Sequence, residues 1–241
     1  MVVVFSRLKI PVFDLAWLSS SSKSFLLIPG GGGSTQSGVK NQIIVAKLPP
    51  GTSMKEFDLT DNFLTDSELS SSACFGVSCG SLFQKPIISA LIGDTCALLS
   101  VEITDNKPDL TRRVQFKADF SSEMPSVNCS LVIESLSLVV TGGEDAIIRL
   151  WRVDESTINS AKWSVLPSTD LKGHKLAISA VVEHPNKPWV CSASKDGSCK
   201  IWDLQAKSLI ADIPFLVEGL SGVGSIQSIS RQVSFECRGC R

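Results

Sequence analysis

The sequence predicts an all-β chain built from repeated antiparallel sheets, and three observations lead there. Leu138-Val-Val-Thr-Gly-Gly-Glu-Asp145-Ala-Ile-Ile-Arg-Leu-Trp151-Arg-Val153 aligns without gaps on Trp189-Val-Cys-Ser-Ala-Ser-Lys-Asp196-Gly-Ser-Cys-Lys-Ile-Trp202-Asp-Leu204, with Trp151 and Trp202 51 positions apart. Each copy reads as an apolar strand, a tight turn at Asp and an alternating strand that ends at Trp, which is a hairpin signal. Finally, 241 residues with 43% hydrophobic and 20% charged side chains can bury a core, yet no window approaches the roughly 18 uninterrupted apolar residues of a membrane helix.

Extending the period backwards gives two weaker units. The first runs from about Pro11 through Phe25-Leu-Leu-Ile28, a glycine-rich segment and Asn41 to Leu48, closing near Phe57-Asp-Leu59. The second uses Cys74 to Cys79, Pro86 to Ile92, Cys96 to Ile103 and Arg113 to Phe116. The units are expected at about 1–60, 68–120, 121–171 and 172–215, with 216–241 as a linker and the start of a further unit that stops. On that reading the chain is a fragment or a shortened product, and the uncovered faces of its end units favour self-association.

In the first unit, Gly30-Gly31-Gly32-Gly33-Ser-Thr-Gln-Ser-Gly38-Val-Lys40-Asn41 separates two strand-like segments. Four consecutive glycines weaken a hairpin through backbone entropy, so the run implies unusual dihedrals or a close backbone approach. By itself a glycine run reads as a flexible connector. It is not a phosphate-binding loop, because no Gly-Lys-Ser/Thr follows and no G-x-G-x-x-G precedes a helix.

Other candidates have plain readings. A net charge of −1 gives no electrostatic footprint for nucleic acid. Eight scattered cysteines do not resemble a disulfide framework, and there is no secretory leader pattern, so reduced thiols in a soluble, cytosol-facing chain are expected. Cys237-Arg-Gly-Cys240 has half a zinc-site spacing without an evident second half, and no metal is assigned to it. His184 reads as a loop residue, and Asn128-Cys-Ser130 is a formal glycosylation sequon that a cytosolic chain leaves unused.

With Gly173-His174 upstream and Trp202-Asp203 at its end, the fourth unit resembles the WD-repeat family of β-propellers. The resemblance implies about four blades, where propellers of the family resembled below have about seven. It also implies a structural hydrogen-bonded tetrad of His174, Ser192, Asp196 and Trp202. The third unit keeps Thr141, Asp145 and Trp151 but shows no matching histidine.

The Gly30 to Asn41 loop, with Phe116-Lys-Ala-Asp-Phe-Ser-Ser122 leading into the third unit, is similar to one branch of that family. These are the WD-repeat guanine nucleotide exchange factors of the Sar GTPase, the family of prolactin regulatory element-binding protein. The likeness implies that the loop joins the second and third strands of the first blade and engages a Sar-type small GTPase at the cytosolic face of the endoplasmic reticulum, initiating COPII coat assembly. Asn41 is then the first candidate for exchange, with Gly30, Gly31, Gly32, Gly33, Gly38 and Lys40 as further contacts. A potassium ion at the loop is implied by resemblance alone, and no other cofactor is required. Family members reach the membrane through a C-terminal helix that this sequence does not show. Two other classes stay open: a generic WD-repeat interaction scaffold, and a DNA-binding regulator, against which the charge argues. No Ser/His/Asp or Cys/His constellation is left over for an enzyme.

Overall fold

A computed structural model describes residues 10–20, 23–33, 38–47, 72–104 and 107–214. The expected closing strand at Phe57-Asp-Leu59, the Cys237 and Cys240 pair and the whole of 216–241 lie outside the described residues. Within them the chain is all-β, a four-bladed β-propeller arrangement of consecutive antiparallel sheets. The first sheet holds β1 (Ala16–Ser20), β2 (Lys23–Gly30) and β3 (Gln42–Lys47). The second holds β4 (Cys74–Leu82), β5 (Lys85–Ile92), β6 (Thr95–Thr104) and β7 (Lys107–Lys117). The third holds β8 (Val127–Ile133), β9 (Leu138–Gly143), β10 (Ile147–Val153) and β11 (Val165–Lys172). The fourth holds β12 (Ile178–Glu183), β13 (Trp189–Ser194), β14 (Ser198–Asp203) and β15 (Ser208–Pro214).

The repeat extends to its irregularities. A register shift falls at Val127/Cys129 in the third sheet and at Ile178/Ala180 in the fourth, and again at Leu150/Trp151 and Ile201/Trp202. The second sheet carries the corresponding pair at Cys74/Gly76 and Leu98/Leu99. Such bulges sharpen the local twist, so the three complete sheets turn alike.

Hydrophobic cores lie between sheets, as alternation requires. Phe25, Leu27, Ile43 and Val45 of the first sheet meet Ile88, Ala90, Ala97 and Leu99 of the second. Leu98 and Leu82 of the second meet Val132, Val139 and Trp151 of the third. Val140, Ile148 and Leu150 of the third meet Ile178, Val190 and Trp202 of the fourth. The last pair of sheets approaches closely at Gly142, where a Cβ would stand 2.7 Å from the Ile178 side chain.

Polar ties cross the same seam. The Asn128 amide donates to Glu144 Oε1 and to the Ile178 carbonyl, each at 3.0 Å, and Lys195 Nζ donates to Glu144 Oε1 at 3.0 Å. The amide nitrogen of the sequon is therefore committed to holding the third and fourth sheets together. Between the first two sheets, Val77 N–H donates to Asp14 Oδ2 at 2.9 Å. Among the described residues no helix is long and apolar enough to cross a membrane.

Candidate functional site

The second and third strands of every sheet are joined at the same end of the propeller. The second sheet makes that connection through Gly93 and Asp94, the third through 144–146 and the fourth through 195–197, while the first takes the whole of 31–41. This longer connection contains the glycine loop, of which 34–37 lie outside the described residues.

Its base is pinned from two sides. Gly31 N–H donates to the Pro11 carbonyl at 3.3 Å and Phe13 N–H to the Pro29 carbonyl at 3.1 Å, extending the sheet by a short bridge between Val12 and Gly30. Asn41, only 8% exposed, closes the other side. Its Oδ1 accepts from Gly33 N–H at 2.9 Å and its Nδ2 donates to the Gly33 carbonyl at 3.1 Å. A primary amide is suited to grip one residue's backbone in this way, because it offers both an acceptor and donors. Glycine is needed at 31, where a Cβ would lie 2.2 Å from Asn41 Oδ1. Gly30 is equally close-packed, Gly32 is half-buried, and Gly33 and Gly38 both have φ 73° with open space around them. Lys40 is exposed at the rim. The loop thus splits into an anchored base, Gly30 to Gly33 with Asn41, and an exposed shoulder at Gly38 and Lys40.

No group of three His, Cys, Asp or Glu side chains able to hold a metal occurs among the described residues. For a monovalent cation the described loop offers backbone carbonyls. The Gly33 carbonyl, however, is met by the Asn41 amide, so Asn41 accounts for the shape of the loop base.

In the fourth sheet, His174, Ser192, Asp196 and Trp202 form one hydrogen-bonded chain. His174 Nδ1 lies 3.0 Å from Asp196 Oδ2, His174 Nε2 lies 2.8 Å from Ser192 Oγ, and Trp202 Nε1 donates to Ser192 Oγ at 2.8 Å. A neutral ring protonated on Nδ1 satisfies all three contacts. Burial pushes the imidazole below its ordinary value, against the hydrogen bond and charge of Asp196. Burial would raise the Asp196 carboxyl, but hydrogen bonds from Lys175 N–H, the Ser198 hydroxyl and His174 outweigh it and hold that group well below the usual carboxylate range. The connectivity is that of a hydrolytic Ser-His-Asp triad. Ser192 has 0% exposed surface and already carries the Trp202 indole, so no acyl group can approach it.

The third sheet shows what takes the place of the missing histidine. Asp119 is fully buried, and its carboxylate accepts from Ser121, Ser126 and Asp145 N–H groups. Phe120 N–H donates to Asp145 Oδ2 at 2.9 Å, as Lys175 N–H does to Asp196 Oδ2 at 2.8 Å, so Asp119 stands where His174 stands. Arg149 completes the set, donating from Nη1 to Asp145 Oδ2 at 2.6 Å and to the Ala118 carbonyl at 3.1 Å. Trp151 Nε1 still donates to Thr141 Oγ1 at 2.8 Å. Burial raises the Asp119 carboxyl, with the Asp145 charge adding to it and the three N–H bonds opposing it. The available sequence signal was Lys117-Ala-Asp119-Phe, ahead of the third sheet as Gly173-His174-Lys is ahead of the fourth.

The sequence profile of the family described as WD domain, G-beta repeat, matches residues 165–203, spanning most of the fourth sheet. The chain carries a WD repeat. Nuclear distribution protein PAC1 of Scheffersomyces stipitis is 25% identical over 156 residues, 56% of this chain and 28% of that protein. Small ribosomal subunit protein RACK1 of Medicago sativa is 36% identical over 87 residues, 36% of this chain and 23% of that protein. Mitochondrial division protein 1 of Vanderwaltozyma polyspora is 28% identical over 121 residues, 46% of this chain and 16% of that protein. The chain spans less than a third of the length of these relatives, and none of the three is named as an exchange factor.

Proposed function

We propose that this WD-repeat protein is a guanine nucleotide exchange factor for a Sar-type small GTPase, acting at the cytosolic face of the endoplasmic reticulum to start COPII coat assembly. The observation that carries the reading is the two-point grip of Asn41 on Gly33, which fixes the base of a glycine loop at a position where the other three sheets make tight turns. Exchange needs no covalent chemistry. A partner that binds the nucleotide-free GTPase more tightly than the loaded one lowers nucleotide affinity by the same factor, because the two binding equilibria are linked. A preorganised loop base serves this purpose, since it loses little conformational entropy on docking. Its glycines let a partner's backbone come close, and Lys40 at the rim contributes mainly to association rate.

The test is release of fluorescent GDP from a Sar-type GTPase, with this chain, with Asn41→Ala and with neither. Acceleration by the chain and its loss in Asn41→Ala is the expected result. Equal release in all three by folded protein would overturn the reading. It would leave the second one, a scaffold that binds partners through the loop face without altering nucleotide affinity, which the varied roles named among the WD-repeat relatives favour.

A further inference from the structure

The first strands of the sheets line the inside of the propeller, and there β4, β8 and β12, with the segment that precedes β1, surround a recess of about 360 Å³. Phe13 and Phe75 line it, with ring centroids 4.9 Å apart and planes inclined at 50°. Both rings are accessible, at 38% and 47% exposure. Among the described residues that line the recess, Asp14 alone is charged.

The remaining polar lining is already engaged. Asn128 is committed to Glu144 and Ile178, the Ser130 hydroxyl meets Ser89 Oγ at 2.7 Å, and Ser179 Oγ donates to the Ala193 carbonyl at 3.1 Å. Asp14 is fixed differently. Its Oδ1 accepts from Leu15 N–H at 2.8 Å and its Oδ2 from Val77 N–H at 2.9 Å, which orients the carboxylate. Each oxygen has a second lone-pair direction, so the carboxylate keeps acceptor capacity.

We infer that this recess is a binding site for a basic side chain, arginine in particular, presented by an extended segment of a partner protein. A carboxylate lining the same recess as two partly exposed aromatic rings matches a cation carried on an apolar stem. The ring quadrupoles attract the charge, and the carboxylate meets it with charge-assisted hydrogen bonds. A planar guanidinium stacks on a ring and reaches a carboxylate with two N–H groups at once, which an ammonium cannot do. An acidic side chain would meet Asp14 with like charge, and a neutral one would leave the carboxylate unpaired. The volume lies within the range of small-ligand pockets. This site is separate from the glycine loop and does not depend on the exchange reading.

The probes are N-acetyl pentapeptide amides with alanine flanks and arginine, lysine or citrulline at the centre, titrated against the whole chain by saturation-transfer NMR. Citrulline keeps the shape of arginine and removes its charge. Transfer to the arginine peptide, weaker transfer to lysine and none to citrulline is expected. Binding of the arginine peptide should weaken by about tenfold or more in Asp14→Asn. Phe75→Leu should weaken it similarly and changes an exposed side chain, so it keeps the test decisive if Asp14→Asn loses its fold by circular dichroism. Asn41→Ala should bind the peptide as the unaltered chain does, even where it abolishes GDP release. Equal binding of citrulline and arginine, no binding of arginine by folded chain, or insensitivity to Phe75→Leu would overturn the proposal.

Discussion

The third and fourth sheets share strand order, bulge positions and a buried Trp, yet they hold the same corner with opposite chemistries. In the fourth, a neutral imidazole bridges Asp196 and Ser192. In the third, the buried Asp119 carboxylate accepts from backbone N–H groups, and the partly buried Asp145 carboxylate is met by one guanidinium. One geometric requirement, fixing the turn Asp against the segment that enters the sheet, is met once by a hydrogen-bond relay and once by an ion network. The backbone N–H that reaches the turn Asp, from Phe120 or Lys175, is common to both.

The largest expected effect comes from breaking the ion network. Arg149→Met, at a residue only 7% exposed, leaves the Asp145 carboxylate without its cation and should cost about 3 kcal/mol. Hydrogen exchange resolved by peptide should show the loss in β9 and β10 before β13 and β14. A uniform loss over both sheets would mean that the two corners are one cooperative unit.

Next is the hydroxyl beneath the Trp. Ser192→Ala removes the partner of both Trp202 Nε1 and His174 Nε2, whereas Thr141→Val removes only that of Trp151 Nε1. With about 1–3 kcal/mol for each buried group left unsatisfied, Ser192→Ala should be the more damaging by about that amount, measured by urea denaturation. Equal losses would show that the imidazole draws little of its hold from the serine.

Acid should separate the two sheets. The folded-state value of His174 lies below its ordinary 6.5, so the unfolded chain takes up a proton first. The stability due to the neutral ring is complete above pH 6.5 and is lost as pH falls below it. Asp196 adds a second loss below its ordinary 3.8, for the same reason. Asp119 has the opposite sign. Its carboxyl is raised above 3.8, so the folded state gains a proton more readily and the third sheet is relatively relieved in acid. Between neutrality and pH 5, exchange protection should therefore fall in β13 and β14 and hold in β9 and β10, and His174→Gln should flatten the difference. The smallest effect belongs to the bridge between the sheets. Lys195→Met removes a partly exposed contact to Glu144 and should change stability by less than about 1 kcal/mol.

The fourth sheet was the more legible of the two because all four of its residues stand in the expected spacing and each is of the expected type. The third was half legible. Thr141, Asp145 and Trp151 follow the repeat, but Asp119 precedes β8 by more residues than His174 precedes β12, and a carboxylate suits that position only because the N–H groups of Ser121, Ser126 and Asp145 converge on it. Between Ile148 and Leu150, Arg149 reads as an ordinary charge on a strand. The glycine loop was visible as composition, but the Asn41 grip on Gly33 spans eight positions and depends on the chain reversing between them. The inner recess was not visible at all, since Asp14 and Val77 are 63 positions apart and meet only when the first two sheets stand side by side.

Asn128 sets an order of events. Once the third and fourth sheets have closed, its nitrogen is shared between Glu144 and the Ile178 carbonyl, so a glycosyltransferase could modify it only on a chain whose fourth sheet had not yet arrived. A glycan found there would be a record that the enzyme met the chain before this seam was sealed, and it would hold the two sheets apart from then on.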